Sequence, residues 1–155
     1  MFAEFLVAAA LGVLNEPRIG WDAVDVRYEG KKIEVKSSAY VQSWEQRRLS
    51  RPDFDIKERL SWDAATNTYE VNPGRAADCY VFCLYAETDR RRANVLDVGK
   101  WQFYVLSAER INQELGRQQR VALSRIQSMA DTSGGVGYGQ LKERVDQALA
   151  AAGLA

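Results

Sequence analysis

The chain reads as a mixed α/β domain with helices flanking a central sheet, and three observations predict it. An apolar helical segment opens the sequence, two strand-like segments flank a Glu-Gly pair, and two long apolar strand segments, 79–85 and 101–106, follow later. With 155 residues, 46% hydrophobic and 27% charged, the chain has apolar material for one core, and one domain is expected over 1–155.

Each element has its own signal. Phe2, Phe5, Leu6, Ala9, Ala10 and Val13 recur at helical spacing, which predicts helix over 2–14, stopped at Asn15-Glu16-Pro17. The apolar stretch 5–14 is not expected to be a secretion signal, since no Lys or Arg precedes it and Glu4 stands where a positive charge belongs. It is also too short to span a bilayer, so the expectation is a buried helix in a cytoplasmic protein without a membrane partner. Residues 21–28 and 31–38 read as strands, and Glu29-Gly30 between them as a two-residue hairpin turn. Segment 39–49 is more polar and predicted helical, ending near Pro52.

Short strands are expected at 54–56 and 69–71, with a turn at Asn72-Pro73-Gly74. The near-continuous apolar run 79–85 predicts a strand covered on both faces. A charged excursion, 87–98, separates it from the strand at 101–106. Ser107 is the expected N-cap of a helix over 108–115. A short strand at 121–123, a following helix, a flexible glycine-rich loop at 131–139 and an amphipathic helix over 140–152 complete the reading. That loop lacks the Gly-Lys-Ser/Thr ending of a phosphate-binding P-loop.

Composition narrows the chemistry. The chain has no histidine, which removes histidine general bases, Ser-His-Asp and Cys-His arrangements, and most zinc chemistry. Cys79 and Cys83, four apart on one strand, read as buried small hydrophobes of a reducing compartment. Catalysis must therefore run on carboxylates, lysine, hydroxyls and a hard cation such as Mg²⁺ or Mn²⁺. Twenty-one basic residues balance 21 acidic ones, so phosphate attraction must be local rather than chain-wide.

The hairpin concentrates these groups. Strand alternation puts Glu34 and Lys36 on one face. With Glu29-Gly30 as the loop, Asp25 falls across from Glu34. Two neighbouring carboxylates repel unless a cation lies between them, and a lysine two residues on is placed to assist a water. The plainer alternative is a solvent-facing strand of salt-bridged charges, involving Arg27, Lys32 and Lys36.

Together with Glu4 on the first helix and Asp22 or Asp25 ahead of it, the string Glu34-Val35-Lys36-Ser37-Ser38 resembles the PD-(D/E)XK superfamily of restriction-endonuclease-like proteins. The resemblance implies an αβββαβ core with a central mixed sheet flanked by helices. It also implies an acidic residue opening one strand, Glu34 and Lys36 on the next, and a metal contact from Glu4. WDAVDVRYEGKKIEVKSSAYVQSWEQ, RAADCYVFCLY and WQFYVLSAERI look like a bacterial group within that superfamily, over residues 1 to about 125. That likeness implies no particular substrate. No proline precedes either aspartate, and the sequence begins almost at the first helix, where relatives often carry residues upstream. The separation from Glu34 favours Asp22 as the ligand, the hairpin register favours Asp25, and both are carried forward.

The expected function is Mg²⁺- or Mn²⁺-dependent, endonuclease-like hydrolysis of phosphodiesters in DNA. Asp25 or Asp22, Glu34, the Val35 carbonyl and Glu4 would hold the metal, Lys36 would assist the water, and Gln42 and Ser37 would lie near it or the phosphate. Arg47, Arg48 and Arg51 are candidates for a phosphate rim, while Trp44, Trp62 and Trp101 are expected in core or edge packing. The alternative is a non-catalytic, nuclease-fold binding or scaffold subunit of a defence or restriction system. In a chain this small, specificity calls for a homodimer or a protein partner.

Overall fold

The computed structural model describes residues 2–15, 25–58, 62–63, 68–69, 74–130 and 134–153. Helix α1 (Phe2–Leu11) buries Ala3, Leu6, Val7 and Leu11. Strands β1 (Val26–Tyr28) and β2 (Lys31–Ala39) pair antiparallel, with Val26 opposite Ile33 and Tyr28 opposite Lys31. Glu29 and Gly30 both have positive φ, 50° and 75°. That backbone twist matches the twist of the strands it joins, so the hairpin forms around the turn the sequence predicts.

After β3 (Asp53–Asp55), β4 (Trp62–Asp63) and β5 (Thr68–Tyr69), the chain returns as β6 (Cys79–Tyr85), which pairs parallel with β2. Strand β7 (Trp101–Ser107) pairs antiparallel with β6, completing a mixed sheet of order β1-β2-β6-β7. Two smaller sheets pair β4 with β5 and β3 with β8 (Arg120–Ala122). Helices α2 (Ala108–Leu115), α3 (Leu123–Met129) and α4 (Tyr138–Gly153) follow, and two 3-10 turns, Arg90–Arg92 and Val98–Lys100, lie between β6 and β7. Ser107 caps α2 as predicted, its hydroxyl accepting the Arg110 N–H.

Alternation along the strands divides the interior into two cores. Ile33, Val35, Cys79, Val81, Phe103 and Val105 face α1 and α4. Tyr80, Phe82, Leu84, Tyr104 and Leu106 face β3, α2 and α3. All seven residues of β6 are buried, which explains its near-continuous apolar run. Phe82 meets Phe54 of β3 edge-on, with ring centroids 5.0 Å apart. Both cysteines are free and buried, and burial pushes the Cys79 thiol up to about 12 and the Cys83 thiol higher still. Neither is a reactive thiolate at neutral pH. Tyr28 reaches across to α4, donating to Oδ1 of Asp146 at 2.6 Å, while Lys142 pairs with the other carboxylate oxygen at 2.9 Å. Among the described residues, no helix is long and apolar enough to cross a membrane.

The structure departs most from the expected elements in two segments. Segment 39–49 is not a helix: β2 runs to Ala39 and an irregular loop follows. Its backbone groups find side-chain partners instead of helical ones. Oε1 of Gln46 accepts the Gln42 N–H at 2.9 Å, and Nε2 of Gln46 donates to the Tyr40 carbonyl at 3.2 Å and the Ser50 hydroxyl at 3.0 Å. The second departure is in the glycine-rich loop, whose residues 131–133 lie outside the described residues. Its later part docks on the sheet, with Val136 and Phe103 exchanging both backbone hydrogen bonds at 2.9 and 2.8 Å.

Gly135 makes that docking possible. Its φ is +72°, and a Cβ there would lie 2.9 Å from the Phe103 carbonyl oxygen and 3.0 Å from the Tyr104 ring. Gly135→Ala is therefore expected to destabilise the fold by more than about 1 kcal/mol, read as a lower urea midpoint at unchanged slope. An unchanged midpoint would show that this loop does not contribute to the packed structure.

Candidate active site on the open face of the hairpin

Parity along β2 decides which side chains meet. Ile33 and Val35 enter the core beneath α1, so Glu34 and Lys36 emerge on the opposite face. The core on that second face is built from β3, β6, β7, β8, α2 and α3, and takes no residue from β1 or β2. The polar face of the hairpin thus lies beside a core that does not incorporate it.

Glu34 and Lys36 form an ion pair at 3.2 Å, with both side chains only 18% exposed. Partial burial strengthens such a pair relative to a surface one, and makes removal of either partner costly. Asp25 sits immediately before β1. Continuing the observed register by one residue sets it opposite Glu34. Its Oδ2 accepts the Val35 N–H at 2.9 Å, which fixes the carboxylate against the peptide linking Glu34 to Val35. Two carboxylates and an ammonium therefore gather at one end of the hairpin.

The remaining candidates are distributed as follows. Asp22 falls outside the described residues. Glu4 stands in the first turn of α1, the helix that covers the other face of β2. Gln42 lies beyond the end of β2, where its Nε2 donates to the Ala39 carbonyl at 3.0 Å and so shapes the loop. Ser37 has the parity of Val35 rather than that of Lys36. Among the described residues, no three acidic or cysteine side chains are grouped as a metal-binding cluster.

Past Lys36 the same strand face leads into a groove. Ser38, Gln42 and Asp53 line it in common, with loop 40–51 on one side and loop 87–100 on the other. Arg47, Arg48 and Arg51 line the first side, as a phosphate rim would require. Trp44 departs from its expected packing role: it is 61% exposed on this rim, whereas Trp101 is buried as expected. Trp62 has no described side chain. Sequence reasoning missed Asp53 and Arg120, which meet in the groove through a two-pronged ion pair of 2.8 and 2.9 Å. They are 67 residues apart and joined by the β3–β8 pairing, which no local pattern announces.

A family model for bacteriophage T4 endonuclease IV matches residues 1–124. The chain belongs to this family of nucleases. The matched span runs from α1 through β8, and so includes Glu4, the hairpin and both walls of the groove. No curated protein and no solved structure matches the chain.

Arg120 holds the Asp53 carboxyl below its usual range, chiefly by hydrogen bonding. A depressed native pKa gives stability that is fully present above the unfolded carboxylate value near 4 and is lost as the pH falls below that value and through the lower folded one. Because both side chains are about half exposed, the contribution is expected to stay below about 1 kcal/mol. Asp53→Asn should flatten the acid limb of the stability–pH curve by that amount and leave the slope above pH 6 unchanged. An unaltered acid limb would contradict this assignment.

Proposed function

We propose that the open face of the hairpin is the site of a divalent-metal-dependent phosphodiesterase of the PD-(D/E)XK kind, acting as an endonuclease on DNA. The observation that carries the reading is the placement of Asp25 against the Glu34–Val35 peptide, with Lys36 on the face of Glu34, in a chain of an endonuclease family. The donor set suits Mg²⁺ or Mn²⁺. Such cations are commonly held by one or two carboxylates, with water and substrate phosphate filling the remaining positions. Asp25 and Glu34 are the proposed ligands, and the Val35 carbonyl, Asp22 and Glu4 are candidates for the remaining contacts.

Bound there, the cation would activate water and neutralise charge at the scissile phosphate. The residues prepare that event. The Val35 N–H holds Asp25 in place, and a carboxylate retains acceptor sites beyond one hydrogen bond. Glu34 supplies the second negative group, paired with Lys36 at 3.2 Å. With Glu34 as a ligand of the cation, the Lys36 ammonium would be available beside the scissile phosphate, where a lysine can orient a water and stabilise charge on phosphate oxygens. No step calls for a histidine, in keeping with a chain that has none.

Incubation with circular and linear DNA in Mg²⁺ or Mn²⁺ tests this reading. The wild type should nick or cut circular DNA, and EDTA should stop it. Glu34→Gln and Lys36→Met should each lower the rate on the order of 100-fold or more. Cleavage that survives Glu34→Gln, or a wild type inert with either metal, would overturn the proposal.

A further inference from the structure

We infer that the groove beyond the C-terminal end of β2 is the track for the DNA strand flanking the cut phosphate, with Trp44 as a platform for one base and Arg47, Arg48 and Arg51 as phosphate contacts. The inference deepens the nuclease reading and takes its substrate chemistry from it.

Continuity with the site is the first argument. Ser38 has the same strand parity as Glu34 and Lys36 and lines the groove. Two residues of strand cover roughly 7 Å, so the groove begins one short step along β2 from Lys36. A strand held at Glu34 and Lys36 must leave the site in some direction, and this one offers complementary chemistry.

Charge is the second argument. The chain as a whole is neutral, so attraction for phosphate has to come from local clusters. Three arginines line this wall, all exposed, against Glu45 and an Asp53 already paired with Arg120. The guanidinium fork matches phosphate geometry.

The third argument is Trp44 itself. A tryptophan 61% exposed beside arginines presents an aromatic face in a place that an apolar protein partner would fill only by desolvating those guanidiniums. Its backbone is held from both walls. Nη1 of Arg90, from the opposite loop, donates to the Trp44 carbonyl at 2.9 Å, while Gln46 braces the loop around it. On the facing wall Val95 and Leu96, 49% and 69% exposed, continue the apolar surface. A base on an aromatic ring with phosphates on flanking cations is a recurrent mode of strand binding.

The test is equilibrium binding of a fluorescein-labelled ten-nucleotide DNA single strand in EDTA, where no metal-dependent cutting occurs. Trp44→Ala is expected to weaken binding about fivefold to a hundredfold, and Trp44→Phe to retain most of the affinity. The Arg47→Gln/Arg48→Gln double variant should lower the slope of log affinity against log salt by about 0.7 for each phosphate it no longer neutralises. Trp44→Ala should leave that slope unchanged. All these side chains are exposed, so unchanged thermal midpoints are expected throughout. Wild-type affinity in both Trp44→Ala and the double variant, or no binding by the wild type, would overturn the inference. If the wild type cuts DNA while these variants bind normally, the groove assignment alone falls. If these losses appear in a protein inert with metal, the groove stands and the nuclease reading falls.

Discussion

Strand β2 sits between an antiparallel neighbour and a parallel one, and its register against the second is the constraint on which the molecule depends. Asp78, just ahead of β6, locks that register from both sides of one residue. The Lys32 N–H donates to its carboxylate and its own N–H donates to the Lys32 carbonyl, both at 2.8 Å. The Asp78 carbonyl also accepts the Ala108 N–H at 3.0 Å, tying the start of α2 to the same point. A slip of one residue would carry Glu34 and Lys36 into the core beneath α1 and expel Ile33 and Val35. The cost of burying those charges makes the alternative register inaccessible, so the geometry of the core and that of the candidate site follow from one choice.

The same choice explains why the polar face remains available. The second core is centred on β6 and β7, where Tyr80, Phe82 and Tyr104 meet α2, α3 and the β3–β8 pair. The hairpin lies to one side of that packing and donates no side chain to it. Carboxylates gathered there are kept from mutual repulsion by local partners: a backbone N–H for Asp25 and an ammonium for Glu34. Both arrangements hold negative charge in place without neutralising it irreversibly, a property that suits exchange with a divalent cation. The groove extends the same strand face past Ser38, so the proposed site and the proposed strand track share one scaffold strand.

Much of this was legible in local sequence because it depends on local rules. Glu29-Gly30 between alternating segments announces a two-residue hairpin, and its register follows from the loop length alone. The buried β6 and the Ser107 cap are likewise readable from short windows. Three features were not. The loop after β2 has a polar composition compatible with a helix, and only the bonds from Gln42 and Gln46 to nearby backbone reveal why it is irregular. The β3–β8 pairing joins three-residue strands across the chain, too short for any periodic signal, and with it come Asp53 and Arg120 in the groove. Trp44 reads as core or edge packing, yet it is 61% exposed, with its backbone carbonyl held by Arg90 of the facing loop.

The central claim is that Asp25 and Glu34 act together on a single divalent cation, and calorimetric titration of Mn²⁺ into wild type, Asp25→Asn and Glu34→Gln tests it most directly. The expected result is binding by the wild type that is lost in both variants, while thermal unfolding shows each variant to be folded. Mn²⁺ binding that persists undiminished in both, or no binding by the wild type, would contradict it.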